Sequence, residues 1–132
     1  MEVLENLFAN VALESGNYDH AISVRWKTPV TSAQYLEVMQ KVLYLFQEHP
    51  AFSVLVMDNT LLPDLDLEAF QWTRKKFVPL IQGKVTHAFV HFSPSPDVEA
   101  IRKRLVSQLE EVGIVVHLTR GTEELQTALN EL

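Results

Sequence analysis

The stretch Phe52-Ser-Val-Leu-Val-Met-Asp58 decides the fold. It is apolar apart from one serine, and it closes on Asp58-Asn59-Thr60. A continuous apolar run ended by turn-forming residues fits a central strand covered on both faces. Its flanks carry a different period. Upstream, Tyr35, Leu36, Met39, Val42, Leu43 and Phe46 recur at helical spacing. Downstream, Phe70, Phe77 and Ile81 mark the buried side of another helix. Strand and helix then alternate to the end of the chain. Such alternation builds a parallel α/β layer, and ligands in such layers gather at strand C-terminal ends.

Local signals place the boundaries. Thr31-Ser-Ala-Gln34 is a capping box, whose hydroxyl and amide satisfy free backbone N–H groups at a helix start. His49-Pro50 ends that helix, because the residue before proline disfavours helical dihedrals. Leu61-Leu62-Pro63-Asp64 forms a loop, and Asp64 or Asp66 caps the second helix. Pro79 stops or kinks it. Thr86 to Phe92 is the next strand, and Ser93-Pro94-Ser95-Pro96 a loop. Asp97 opens a third helix, with Val98, Ile101, Leu105, Leu109 and Val112 inward and Gly113 as its C-terminal cap. Ile114 to Leu118 is the last strand. Thr122 to Leu132 is the last helix, with Leu125, Ala128, Leu129 and Leu132 inward.

Ahead of all this, Val11 to Glu14 and His20 to Trp26 read as a hairpin around Ser15-Gly16-Asn17. The expected architecture is a single α/β domain over residues 1–132. It is a small sandwich: an N-terminal β-hairpin, repeated helix-strand units, a mixed but mostly parallel sheet and four helices, joined by right-handed crossovers.

Composition narrows the function. A chain of 132 residues, 47% of them hydrophobic, can bury one full core. The formal net charge of −6 makes nucleic acid or an acidic membrane surface a poor partner. Arg74-Lys75-Lys76 and Arg102-Lys103-Arg104 fall on expected helices and read as solvated faces. The absence of cysteine excludes disulfides, thiol nucleophiles and thiolate metal sites. Met1-Glu2-Val3-Leu4-Glu5 lacks the basic start and apolar run of a secretory signal, and no apolar stretch approaches the roughly 20 residues that span a bilayer. A cytoplasmic protein without membrane insertion is expected.

The chemistry-bearing residues are scattered. Four dispersed glycines make no phosphate loop, and there is no Gly-x-Ser-x-Gly elbow. Of the histidines His20, His49, His87, His91 and His117, His87 and His91 share a strand face but lie roughly 13 Å apart. That is too far to share one metal, which would need His117 and other neighbours as well. No metal and no cofactor is expected. Ser23 and Arg25 on one strand, with His87, Phe89 and His91 on another, form a semi-polar sheet surface free of helices. Such a surface meets solvent, a ligand or a second copy, and a two-fold homodimer through it or an adjacent helix is expected.

Four segments together carry a family resemblance. Ala21-Ile-Ser-Val-Arg-Trp26, Thr31-Ser-Ala-Gln-Tyr35, Val54-Leu-Val-Met-Asp58 and the Glu123-Glu124…Ala128-Leu129 helix resemble the SpoIIAA-like/STAS-like group. These are anti-sigma-factor-antagonist-like domains related to the CRAL-TRIO lipid-binding fold. The resemblance implies a small α/β fold and a non-enzymatic regulatory or binding role. It also implies a possible phosphosite at Thr60, since the family's phosphorylated serine or threonine follows the matching strand. Here the turn reads Asp58-Asn59-Thr60-Leu61-Leu62, without the family's glycine and adjacent serine.

Asp58 has a further likeness. Val56-Met-Asp58…Pro63 is similar to the phosphoacceptor strand end of receiver domains. Those domains also need an acidic pair on the first strand and a lysine after the last. The first strands here offer no such pair, and the last one ends Leu118-Thr119-Arg120. The plain alternative for Asp58 is a helix cap or a loop hydrogen bond.

The functional expectation is therefore a binding module for a protein partner or small ligand, built on Asp58, Asn59, Thr60, Leu62, Phe70 and Trp72. The alternative is a small carrier of apolar ligands, with Leu62, Phe70, Trp72 and Phe77 lining a cleft between the second helix and the sheet. A chain this short leaves little room for a long lipid beyond its own core.

Overall fold

In the computed structural model, six strands form one sheet whose spatial order is the chain order. The structure describes residues 2–14, 20–59, 67–91 and 99–119, with 123, 124, 127 and 130 near the C-terminus. The strands are β1 (Glu2–Glu5), β2 (Ala9–Glu14), β3 (Ala21–Trp26), β4 (Val54–Asp58), β5 (His87–His91) and β6 (Val115–Thr119). The first three pair antiparallel, and β3 through β6 run parallel. The mixed, mostly parallel sheet expected from the alternation is thus present.

Strand β1 is an addition. Its Glu-Val-Leu-Glu sequence has too little apolar character to announce a strand, yet it pairs with β2 as an edge. Asn6 makes the connection. Its Oδ1 accepts from the N–H groups of Phe8 and Ala9 at 2.8 and 2.9 Å, so the side chain supplies the turn's bonds itself. Lys27 donates from Nζ to Glu5 at 2.8 Å and to the Asn6 carbonyl at 3.0 Å, tying this turn to the end of β3.

Helix α1 (Ser32–Glu48) crosses from β3 to β4. Both capping-box bonds form: Thr31 Oγ1 accepts from the Gln34 N–H, and Gln34 Oε1 from the Thr31 N–H. Helix α2 (Leu67–Trp72) passes through a π-helical segment, Thr73–Phe77, into α3 (Val78–Ile81). The Val78 N–H bonds to the Thr73 carbonyl, five residues back. Pro79 explains the wider turn: it has no N–H to offer, and its ring would press on the carbonyl four residues back in an α-helical register. The proline was expected to stop or kink the helix; the chain instead widens for one turn and continues to Ile81.

Helix α4 (Glu99–Glu111) leads to β6 through Gly113, whose φ of +86° is open to glycine. The Gly113 N–H bonds to Glu110 and the Ile114 N–H to Leu109, which is a Schellman ending. Of the expected last helix, residues 123, 124, 127 and 130 are described, and each is helical. Among the described residues, no helix is long and apolar enough to cross a membrane.

Right-handed crossovers that all step in one direction place their helices on one face of the sheet. On that face Ile22, Val24, Trp26, Leu55, Met57, Ala88 and Val90 meet Tyr35, Val38, Met39, Val42, Leu45 and Phe46 of α1 in the main core. Phe77 and Ile81 join from the second crossover, Leu105 and Leu109 from α4. The other face carries a second buried cluster of Ala21, Val54, Val56 and Phe89.

Candidate functional site

The parallel register makes β3, β4, β5 and β6 end on a common rim. Across it, Arg25 stands beside Asp58, Asp58 beside His91, and His91 beside Thr119. Neighbouring strands lie about 4.8 Å apart, so these four side chains form a row on the face away from the main core. Arg25 is exposed, Asp58 and His91 are half-buried, and Thr119 is buried. Asp58, expected to mark a binding edge, thus stands between Arg25 and His91, two residues assigned by sequence to a separate sheet surface. One register row unites them.

One residue further along, the chain turns its side chains to the helix-covered face. Asn59 continues the ladder, its N–H donating to the His91 carbonyl at 2.8 Å. It follows Asp58 as Trp26 follows Arg25, each one residue past the last registered pair of β3 and β4. Both are almost fully buried, at 2% and 1% exposure. Both also carry polar atoms without a hydrogen-bond partner among the described residues: Trp26 Nε1, and the amide nitrogen and oxygen of Asn59. Thr119 Oγ1, at the end of β6, is in the same condition. Buried polar groups are nearly always paired, so the unpaired Trp26 and Asn59 at the ends of β3 and β4 are not explained by core packing; Thr119 belongs to the row on the opposite face.

The neighbours of Trp26 show the contrast. Its ring stacks on Tyr35 with centroids 5.5 Å apart. Tyr35 and Thr73 are 3.0 Å apart oxygen to oxygen, and Thr73 Oγ1 donates to the Ala69 carbonyl at 2.8 Å. That donation uses the only hydroxyl proton of Thr73, so Tyr35 is the donor to Thr73. Burial pushes the Tyr35 phenol up to about 12, so the hydroxyl stays protonated. Polar groups two layers into the same core are satisfied, while those at the rim are not.

The remaining expected residues fall as follows. Phe70 is buried, and Trp72 is half-buried with its ring 6.0 Å from that of Phe77. Thr60 and Leu62 lie outside the described residues. On the second face Ser23 and His87 are half-buried, but Phe89 is fully buried, so the expectation of an open surface at Phe89 does not hold. The His117 ring stacks on Phe89 at 4.4 Å, nearly parallel. A second copy meeting this face has to do so around its margin, where Arg25 is exposed.

His117 also meets His87, with His87 Nδ1 3.1 Å from His117 Nε2. One of these nitrogens must lack a proton for the bond to exist. Burial lowers the His117 value below the ordinary 6.5, and the nearby His87 lowers it further. Protonation therefore favours the unfolded chain. The stability tied to this pair is intact above about pH 6.5 and is lost as the pH falls through the folded value. Urea melts between about pH 8 and about pH 5 should show a smaller loss of stability for His117→Gln than for the unsubstituted protein. Equal losses would remove the pair from the account. Among the described residues, no group of three or more His, Cys, Asp or Glu is placed to hold a metal ion.

Sequence reading singled out Asp58 and Asn59 but missed Trp26 and Thr119. The available signal was register: Trp26 ends β3 one residue after Arg25, as Asn59 follows Asp58.

No family model matches the sequence. Among solved structures, the chain is similar to an uncharacterized protein of the DUF3478 family with a SpoIIAA-like fold, from Shewanella loihica PV-4. The superposition covers 96% of this chain and 98% of that one, with a TM-score of 0.68 and 15% sequence identity. At that identity the likeness establishes the fold, which is SpoIIAA-like, as the sequence resemblance implied.

Proposed function

We propose that, on this SpoIIAA-like fold, the carboxyl rim of β3 and β4 is the binding site of a non-enzymatic module that takes a small polar ligand. The unpaired indole N–H of Trp26 and the unpaired amide of Asn59, each one residue past the paired Arg25 and Asp58, carry this reading. An indole offers one donor, and an amide offers donors and an acceptor. A ligand with both kinds of group answers the pair, and Asp58 and Arg25 on the rim add charge of either sign. Indole and amide recognise; neither acts as nucleophile or proton carrier near neutral pH, which favours binding over catalysis.

The apolar-carrier alternative has less support. Phe77, one of its intended lining residues, is packed in the main core. Phe70 opens onto a groove whose other walls are largely charged or polar.

The test is direct because the chain has two tryptophans, and therefore two indole N–H resonances. Amide-bearing and hydroxyl-bearing metabolites are titrated into uniformly ¹⁵N-labelled protein. A true ligand moves the Trp26 resonance, leaves Trp72 in place, and loses its effect in Asn59→Leu. A screen in which no compound moves Trp26, or a ligand that binds Asn59→Leu unchanged, overturns the reading.

A further inference from the structure

We infer that the groove between α2 and α4 is a second ligand site, which holds the phosphate group of a small phosphate ester. Arg74-Lys75-Lys76 and Arg102-Lys103-Arg104, far apart in sequence, send Arg74, Lys103 and Arg104 to the same hollow. Its volume is about 560 Å³, within the range of small-molecule sites and larger than a bare phosphate needs. The α4 wall is one helical stripe: Arg104, Ser107, Gln108 and Glu111 follow the i, i+3, i+4, i+7 pattern. Leu105 and Leu109, on the other side of that helix, are buried in the core. The α2 wall is Phe70, Gln71 and Arg74, the last of them in the π-helical turn. Wide turns of this kind recur at functional sites.

Charge selects the ligand class. Among the described lining residues, two arginines, Arg74 and Arg104, stand with the single carboxylate of Glu111, on a chain whose overall charge is −6. A phosphate ester carries about −1.5 to −2 near neutral pH and offers oxygen edges to two arginines at once, where a single carboxylate offers one. Arginine adds a planar fork that grips phosphate oxygens in pairs. Arg104 is already placed, its guanidinium 5.9 Å from the centre of the Phe70 ring. Among the described residues, neither Arg74 nor Arg104 is in an ion pair.

Gln108 points to what the phosphate is attached to. Its Oε1 is buried and lacks a hydrogen-bond partner among the described residues. An acceptor in that position calls for a donor on the ligand, and a hydroxyl or amine supplies one. A hydroxylated ester such as a sugar phosphate supplies both the donor and the phosphate.

Calorimetric titration of the intact protein at low salt, with glucose 6-phosphate, glucose and inorganic phosphate as probes, tests this. Glucose 6-phosphate should bind, inorganic phosphate more weakly, and glucose not at all. Arg104→Gln should weaken the ester at least about tenfold, as loss of a charge-assisted pair does. Gln108→Leu should erase the preference for the ester over inorganic phosphate. Both variants are checked for an unchanged melting temperature, and Arg74→Gln stands in for one that fails to fold. Vesicles of phosphatidylcholine with and without phosphatidic acid separate a soluble ester from a lipid headgroup. Binding only to the phosphatidic acid vesicles, equal binding of glucose, or no loss in Arg104→Gln and Arg74→Gln overturns the proposal. The Trp26 resonance should stay in place when the groove fills, so this site and the rim report independently.

Discussion

Asn59→Leu is expected to stabilise the protein by about 1–3 kcal/mol while abolishing its response to the rim ligand. The two side chains have nearly the same size and shape. Asn59 is 2% exposed, and neither end of its amide has a partner among the described residues. Leucine removes that desolvation cost and adds apolar surface at a buried position two residues from Met57 of the main core. A residue that lowers stability without packing benefit belongs to the class retained for function. Denaturant midpoints with unchanged slopes measure the gain. A variant destabilised by more than about 1 kcal/mol shows that the amide is satisfied in solution, and the rim then loses its main support.

Phe89→Ala should cost about 3–5 kcal/mol. Phe89 is the large side chain of the second cluster, fully buried among Ala21, Val54 and Val56 and covered on one side by the His117 ring. Removing it leaves a cavity that β-sheet backbone cannot collapse to fill. A small domain has only about 5–15 kcal/mol in total, so the variant should melt far below the parent protein. Phe89→Leu, which keeps most of the volume, should lose about 1–2 kcal/mol. A loss within about 0.5 kcal/mol for Phe89→Ala would mark an exposed position and return this face to the open surface that alternation alone suggested.

That disagreement shows where sequence stops. Ser23, Arg25, His87 and His91 made the second face look polar, because period-two alternation assigns a face to each residue but not a cover to each face. Phe89 in their midst was the contrary sign. The elements themselves were legible where local chemistry is self-contained. The Phe52–Asp58 run, the Thr31/Gln34 box and the Gly113 ending needed no distant partner, and each stands where its residues placed it. Strand β1 was not legible, since it is held by pairing and by the Asn6 turn rather than by its own composition. The π-helical turn left one trace, Pro79, which reads equally as a stop.

The candidate sites were half visible. Asp58 and Asn59 drew attention as a strand ending, but their companions Trp26, His91 and Thr119 come from other strands and are joined only by register. The two basic triplets read as solvated faces, and Arg74, Lys75, Lys76, Lys103 and Arg104 are indeed exposed. That Arg74 and Arg104 meet across one groove depends on how two crossovers lie side by side. No periodicity within either helix contains that information.

The strand order has one more consequence. Because β1 through β6 lie side by side as they are encoded, each strand docks on the one synthesised just before it. No strand has to wait for a later one to open a place inside the sheet. A ribosome, adding about 5–20 residues per second, releases the pieces in their order of assembly. The growing edge advances with translation, while the opposite edge, the outer side of β1, stays fixed from the start.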